Sequence, residues 1–301
     1  MATRAKMHPD EVETDVGLVA RLIAVQLPEW AELPIEPVAE RGTDNILYRL
    51  GDDMVVRLPG RGRPALALAK ECAWLPKLAP LLPLRVPVPL ALGRPAAGYP
   101  FPWAVYCWLE GDAATRESIG DLRRAAADLA EFVAALQRID PAGGPGPGDH
   151  NVFRGVALVE RDEMTRGSIN RLPGDIDRDP LLDAWDEALA VRAWDRAPVW
   201  IHGDLDARNV LVREGRLSAV LDFGCLGVGD PACDVMVAWK LLDAEARSVF
   251  RSALEVDDAT WARSRGWAVS QAAVALAYYT LETNAALVRD ARRWLAEVLG
   301  G

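Results

Sequence analysis

The residues best equipped for chemistry lie in positions 199–212, VWIHGDLDARNVLV, where His202-Gly203-Asp204 is followed five positions later by Asn209. Apolar residues flank the polar stretch on both sides, so it reads as a short loop held between buried strands. Farther on, residues 219–224 run Ala-Val-Leu-Asp-Phe-Gly and place Asp222 at the end of a second apolar strand. A carboxylate such as Asp204 can accept the proton of a hydroxyl group. An amide oxygen (Asn209) and a second carboxylate (Asp222) are hard oxygen donors of the kind that hold Mg²⁺. Phosphoryl transfer needs these three provisions: an oriented hydroxyl, neutralised charge, and metal ions bridging the phosphates. No Cys or His nucleophile stands out, so no covalent phosphoenzyme is required.

The order of these residues is that of the protein-kinase catalytic loop and its following Asp-Phe-Gly turn, with Gly203 where protein kinases usually carry Arg. The more specific resemblance is to the aminoglycoside and macrolide phosphotransferases. It rests on His-Gly-Asp-x-x-x-x-Asn, on the Asp-Phe-Gly turn, and on residues 227–234. That last stretch, Gly-Val-Gly-Asp-Pro-Ala-Cys-Asp, is similar to the family's Gly-Asp-Pro-x-x-Asp segment. The ordered set covers about 35 contiguous residues, and weaker matches extend along most of the chain. The resemblance implies a protein-kinase-like α+β bilobal fold. Its β-rich N-terminal, nucleotide-binding lobe would take residues 1–109. Its mostly helical C-terminal lobe, residues 110–301, would carry the catalytic loop, metal site and acceptor site. It also implies ATP or GTP as phosphoryl donor, Mg²⁺ as cofactor, and a small-molecule hydroxyl acceptor of the antibiotic type. Asp204 would then be the base or orienter, and Asn209 and Asp222 the Mg²⁺ ligands.

On the nucleotide side, the resemblance puts a phosphate-covering loop at Gly42-Thr43-Asp44-Asn45, which lacks a full G-x-G-x-x-G. Thr43 and Asn45 are either hydrogen-bond donors to phosphate or parts of an ordinary hairpin turn. The third strand should present a cation to the α- and β-phosphates. The family usually has Lys there; this chain has Arg57, a planar fork in place of a compact charge. Glu71, on the following helix, is the candidate to orient Arg57 through an ion pair. The strand ending in Tyr106-Cys107-Trp108-Leu109 resembles the family hinge, so the backbone of Cys107 and Leu109 would bind the base edge. Tyr106 is either the back wall of a base pocket, its bulk favouring guanine, or a core aromatic.

Neighbouring residues have plainer readings. His202 is a packed orienter of the loop. Asp230, before Pro231, is a helix cap, and Asp234 supports the catalytic loop through hydrogen bonds. Asp206 either faces solvent or touches a cationic substrate, and Arg208 is equally open. For the acceptor, Asp175, Asp177 and Asp179 form an acidic loop that either binds amines or is simply solvated. Trp239, Trp261, Trp267, Tyr278 and Tyr279 either wall a bulky acceptor or fill a core. Rival acceptors are metabolite alcohols such as a sugar, a choline-like alcohol or homoserine. A non-catalytic nucleotide- or drug-binding protein is the reading from outside the enzyme class. A protein kinase is disfavoured, because no Ala-Pro-Glu segment follows Asp222 and residues 227–231 turn straight into helix.

These residues need a scaffold, and the hydrophobic pattern predicts one. Residues 10–26 show helical spacing, and 35–40, 46–50 and 54–58 are short β-like runs, the last two joined by a Gly51-Asp52-Asp53 turn. A helix over 64–78, an extended Pro-rich stretch over 83–89 and a strand over 103–109 follow. Helices are predicted over 118–139 and 180–194, with a Gly/Pro loop over 141–148. Strands at 199–212 and 217–221 surround the catalytic loop, and helices over 231–242, 244–254, 258–282 and 285–299 complete the chain. Half of the 301 residues are hydrophobic and 26% are charged, which suits a folded core, and the net charge of −10 disfavours nucleic acid as a partner. Four cysteines without CxxC spacing suit a reducing cytoplasm, and no signal peptide or membrane segment is expected.

Overall fold

The computed structural model describes residues 11–38 and 45–300, apart from the side chain of Arg63. The chain divides into two compact units: one takes the described residues up to Pro80 together with Arg85–Glu110, the other Leu81–Leu84 and the described residues from Gly111 onward.

The first unit contains α1 (Val16–Gln26), β1 (Ile35–Pro37), β2 (Asn45–Leu50), β3 (Met54–Pro59), α2 (Gly62–Leu78), β4 (Pro89–Gly93) and β5 (Trp103–Cys107). Its five strands form one antiparallel sheet in the order β1-β2-β3-β5-β4. β2 and β3 are a hairpin closed at Leu50↔Met54, with Gly51 at φ 59° in the turn, as its sequence predicts. α1 starts at Val16, later than its periodicity suggests, because the Asp15 carboxylate accepts the Leu18 amide proton at 2.6 Å and caps the helix there. Its apolar stripe, Leu18, Val19, Leu22 and Ile23, joins Ile46, Tyr48, Leu50, Val56, Leu58, Trp103 and Val105 in one buried cluster. β4 has no counterpart among the predicted strands. Its Leu90 and Leu92 are exposed, and Pro89 masks the alternation at its start.

The second unit is mostly helical. Its chain order is β6 (Asp112–Ala113), α3 (Leu122–Arg138), α4 (Asp162–Asn170), α5 (Asp179–Ala190), β7 (Val199–Ile201), β8 (Val210–Arg213), β9 (Arg216–Val220), β10 (Gly227–Gly229), α6 (Ala232–Val235), α7 (Val237–Lys240), α8 (Ala244–Ala253), α9 (Asp258–Tyr278) and α10 (Leu281–Gly300). β6, β8 and β9 make one small antiparallel sheet and β7 with β10 another. Residues 227–229, expected as a turn leading straight into helix, are thus a strand paired with β7. The helix predicted over 231–242 is two short turns, α6 and α7. α9 is buried over every residue from Gly266 to Ala273, so it is the central helix and shows little amphipathic pattern. It stops at Tyr278, short of the predicted 282. Asn284 then leaves the helical region, and its Oδ1 accepts from Leu287 N at 3.1 Å, capping the rest of α10. Among the described residues no helix is long and apolar enough to cross a membrane.

Candidate active site

In the second unit, β7 delivers the chain into His202-Gly203-Asp204. Gly203 has φ 84°, and a β-carbon there would lie 2.5 Å from the carbonyl oxygen of Cys225, so only glycine fits. Fully buried Asp234 accepts from His202 N and Gly203 N, both at 2.7 Å. Burial pushes the Asp234 carboxyl up, although His202 and the two amides pull the other way. His202 Nε2 meets Leu221 O at 2.8 Å and its Nδ1 accepts from Asp204 N at 3.2 Å, which places the ring proton on Nε2. The ring leans on Phe223, 4.5 Å between centroids. His202 and Asp234 therefore clamp the loop from both sides.

Asn209 ends a short 3₁₀ turn capped by Asp206. Its side-chain Nδ2 donates to Asp204 O at 2.8 Å, which turns the amide oxygen the opposite way. Its backbone carbonyl accepts from Leu221 N at 2.8 Å, which ties Asn209 to the segment carrying Asp222. Asp222 sits in the left-handed region at φ 57°, a conformation Asp tolerates better than most residues, and its Oδ1 accepts from Gly224 N at 3.3 Å. The loop thus draws Asp204, Asn209 and Asp222 together by side chain and backbone. Among the described residues no three His, Cys, Asp or Glu side chains form a metal cage. One amide oxygen and one carboxylate are instead the sparse donor set that suits Mg²⁺, which keeps waters and takes further ligands from donor phosphates.

The charges around Asp204 exceed what the sequence suggests. Asp204 Oδ1 lies 3.4 Å from Arg154 Nη2 and 4.0 Å from Lys240 Nζ. Asp206, which was open between solvent and substrate, is only 1% exposed and faces neither. It pairs with Arg208 Nη2 at 2.6 Å and with the fully buried Lys240 at 3.5 Å. Burial pushes the Asp206 carboxyl up, but Arg208 and Lys240 overcome it and hold the group well below the usual carboxylate range. Lys240 also donates to Gln271 Oε1 at 3.2 Å and stands 4.4 Å over the Trp294 ring. Lys240 had a signal in the sequence, as the lone charge in the apolar run 235–242. Arg154 had none. Asp230 caps Ala232 N at 2.9 Å as expected, and it is further locked by a buried bidentate pair with Arg263.

In the first unit, Arg57 on β3 and Glu71 on α2 form a buried ion pair, Nη1 to Oε2, at 2.5 Å. Tyr106 adds a hydroxyl bond to the same carboxylate oxygen at 3.4 Å and is itself core, 2% exposed. Cys72, next to Glu71, has its thiol pushed up to about 11 by burial and by that carboxylate. Asn45 opens β2 with its side chain buried; Thr43 lies outside the described residues. Cys107 N donates to Val88 O at 3.3 Å, so of its two backbone groups only the carbonyl can meet a base edge. Leu109 follows β5 with its side chain buried.

Two of the three acids of the suspected acceptor loop have partners within the protein. Asp175 is bound by Arg292 at 2.8 Å, and Asp177 accepts from Asp179 N at 3.2 Å. Of the aromatic candidates, Trp239 and Trp267 are core.

Comparison with known proteins defines the class of this chain, the phosphotransferases. The sequence profile of the phosphotransferase enzyme family matches residues 35–267, and the chain belongs to that family. Among solved structures, the GDP and kanamycin complex of APH(2")-IIia superposes with a TM-score of 0.71 at 20% identity, covering 92% of this chain and 98% of that one. The GDP complex of aminoglycoside 2'-phosphotransferase-IIIa gives 0.72 at 18% identity over 95% and 99%. The macrolide 2'-phosphotransferase MphH from Brachybacterium faecium gives 0.60 at 24% identity over 92% and 97%. No curated protein sequence matches significantly.

Proposed function

We propose that this phosphotransferase moves the γ-phosphoryl group of ATP or GTP to a hydroxyl of an antibiotic-like acceptor of the aminoglycoside or macrolide class. The observation that carries the reading is that Asn209 bonds both to Asp204 on the clamped loop and to the segment carrying Asp222, in a chain of this family. Asp204 receives the acceptor's hydroxyl proton or orients that hydroxyl. Asn209 and Asp222 hold Mg²⁺, which when bound neutralises charge on the donor phosphates. Arg57, oriented by Glu71, engages those phosphates, and Asn45 and Thr43 cover them. The Cys107 carbonyl and the Leu109 amide take the base edge. Nucleotide use is supported by relatives solved with GDP, ADP and ATP, and a small-molecule acceptor by others solved with kanamycin, gentamicin and streptomycin. Four free cysteines support a cytoplasmic setting.

A second reading, a metabolite alcohol as acceptor, is favoured by one observation. One carboxylate of the acidic loop that would greet a polycation, Asp175, already pairs with Arg292. The deciding experiment measures Mg²⁺-dependent consumption of ATP and GTP over a panel of aminoglycosides, macrolides and simple alcohols, with the product checked by mass for one added phosphoryl group. Asp204→Ala is expected to lower kcat by about 10²–10⁴-fold while nucleotide affinity survives. Substantial turnover by that variant would remove Asp204 from the role.

A further inference from the structure

Arg154 has no place in the scheme above, yet the structure constrains it heavily. The two residues before it, Val152 and Phe153, both lie in the left-handed region at φ 58° and 53°. Neither a β-branched nor a bulky aromatic residue adopts it without strain. Phe153 is 49% exposed, so its own burial does not repay that strain. What enforces it is a set of bonds around the fully buried Asn151. Its Oδ1 accepts from Gly148 N at 2.9 Å and its Nδ2 donates to Arg154 O at 3.3 Å. Phe153 N donates to Gly148 O at 2.9 Å, and Gly155 O accepts from Asp230 N at 2.9 Å, which pins the far end.

The strained loop projects a guanidinium whose Nη2 lies 3.4 Å from Asp204 Oδ1. Its Nε is buried without a hydrogen-bond partner among the described residues, and the Cys225 side chain also bonds the guanidinium. Lys240 approaches the same Oδ1 from the buried side, at 4.0 Å. Both cations therefore address one oxygen of the carboxylate.

We infer that Arg154 is a positioning residue for phosphoryl transfer: it holds Asp204 by Oδ1 and thereby reserves Oδ2 for the acceptor hydroxyl. The inference rests on the role given to Asp204 above. In the step it serves, the acceptor oxygen forms a bond to the γ-phosphorus as the donor's bridging P–O bond breaks, and the hydroxyl proton passes to Oδ2. Arg154 takes no part in bond making. It fixes the rotamer of the group that does, and a misplacement of about 1 Å at such a group costs on the order of 10²-fold in rate.

The test is steady-state kinetics on the full chain, using the best acceptor of the panel. Arg154→Gln is expected to lower kcat by about 10²-fold with KM for nucleotide and acceptor within about twofold, and Arg154→Lys to recover part of the loss. Phe153→Gly relieves the backbone strain and loosens the loop, so kcat should fall while the melting temperature holds or rises. A kcat for Arg154→Gln within threefold of wild type would overturn the inference. So would a loss confined to the acceptor's KM, or one matched by unfolding while Phe153→Gly keeps full activity. Asp204→Asn run alongside separates the two levels. If it is inactive and Arg154→Gln is not, only the positioning role fails; if it stays active, the role of Asp204 fails first, and this inference with it.

Discussion

Asp206 shows how much a single buried charge can decide. It caps the 3₁₀ turn that ends at Asn209 and neutralises Lys240, which has no access to solvent. Asp206→Asn keeps a capping oxygen but removes the charge, leaving Lys240 buried and under-compensated at an expected cost of about 3–5 kcal/mol. Replacing both, as Asp206→Asn with Lys240→Met, should recover much of that loss in chemical denaturation. The pH dependence has a definite sign. The folded Asp206 carboxyl titrates below its unfolded value of about 3.9. Its contribution is therefore present in full above that value and lost as pH falls toward the depressed folded one. Unfolding free energies followed from about pH 5 down to pH 2 should fall less steeply in Asp206→Asn than in wild type; equal slopes would contradict the assignment.

Among the elements, the close approach of α5 and α9 makes the sharpest prediction. A β-carbon on Gly266 would stand 2.5 Å from Ala188 Cβ and 3.0 Å from a Leu158 methyl. Gly266→Ala, ordinarily a gain inside a helix, should instead cost about 1–3 kcal/mol through overpacking. A raised melting temperature would show that the helices separate freely. This contact was invisible in the sequence, because a glycine within a helical run states nothing about its neighbour. The helices themselves were legible: α2, α3, α5 and α8 lie within a few residues of the predicted ranges, since their apolar spacing is regular. Short strands were harder. β4, β6 and β10 are two to five residues long and owe their pairing to distant partners rather than to local preference. At the site the same division holds. Motif spacing singled out Asp204, Asn209 and Asp222, whereas Arg154, fifty residues upstream of Asp204, is brought to it only by tertiary structure.

For the molecule as a whole, ligand linkage gives the most direct test. A nucleotide bound only by the folded chain and present at 100 times its Kd should add about 2.7 kcal/mol, a rise of roughly 5–10 °C in the transition that senses it. If Asn209 and Asp222 hold Mg²⁺, the increment should shrink when Mg²⁺ is chelated, and Asp222→Ala should abolish the difference between the two conditions. An Mg²⁺ effect that survives in Asp222→Ala would place the metal elsewhere.

The sheet order β1-β2-β3-β5-β4 also bears on how the chain matures during synthesis. Translation releases β4 before β5, yet β5 lies between β3 and β4 and is the strand neighbour β4 has in the sheet. Until Trp103–Cys107 clears the ribosome, β4 has no strand to join, and its Leu90 and Leu92 travel on an unpaired segment. Once β5 inserts, both gaps close together. The arrival of residue 107 is thus the moment at which the sheet carrying Arg57 can first close as a five-stranded whole.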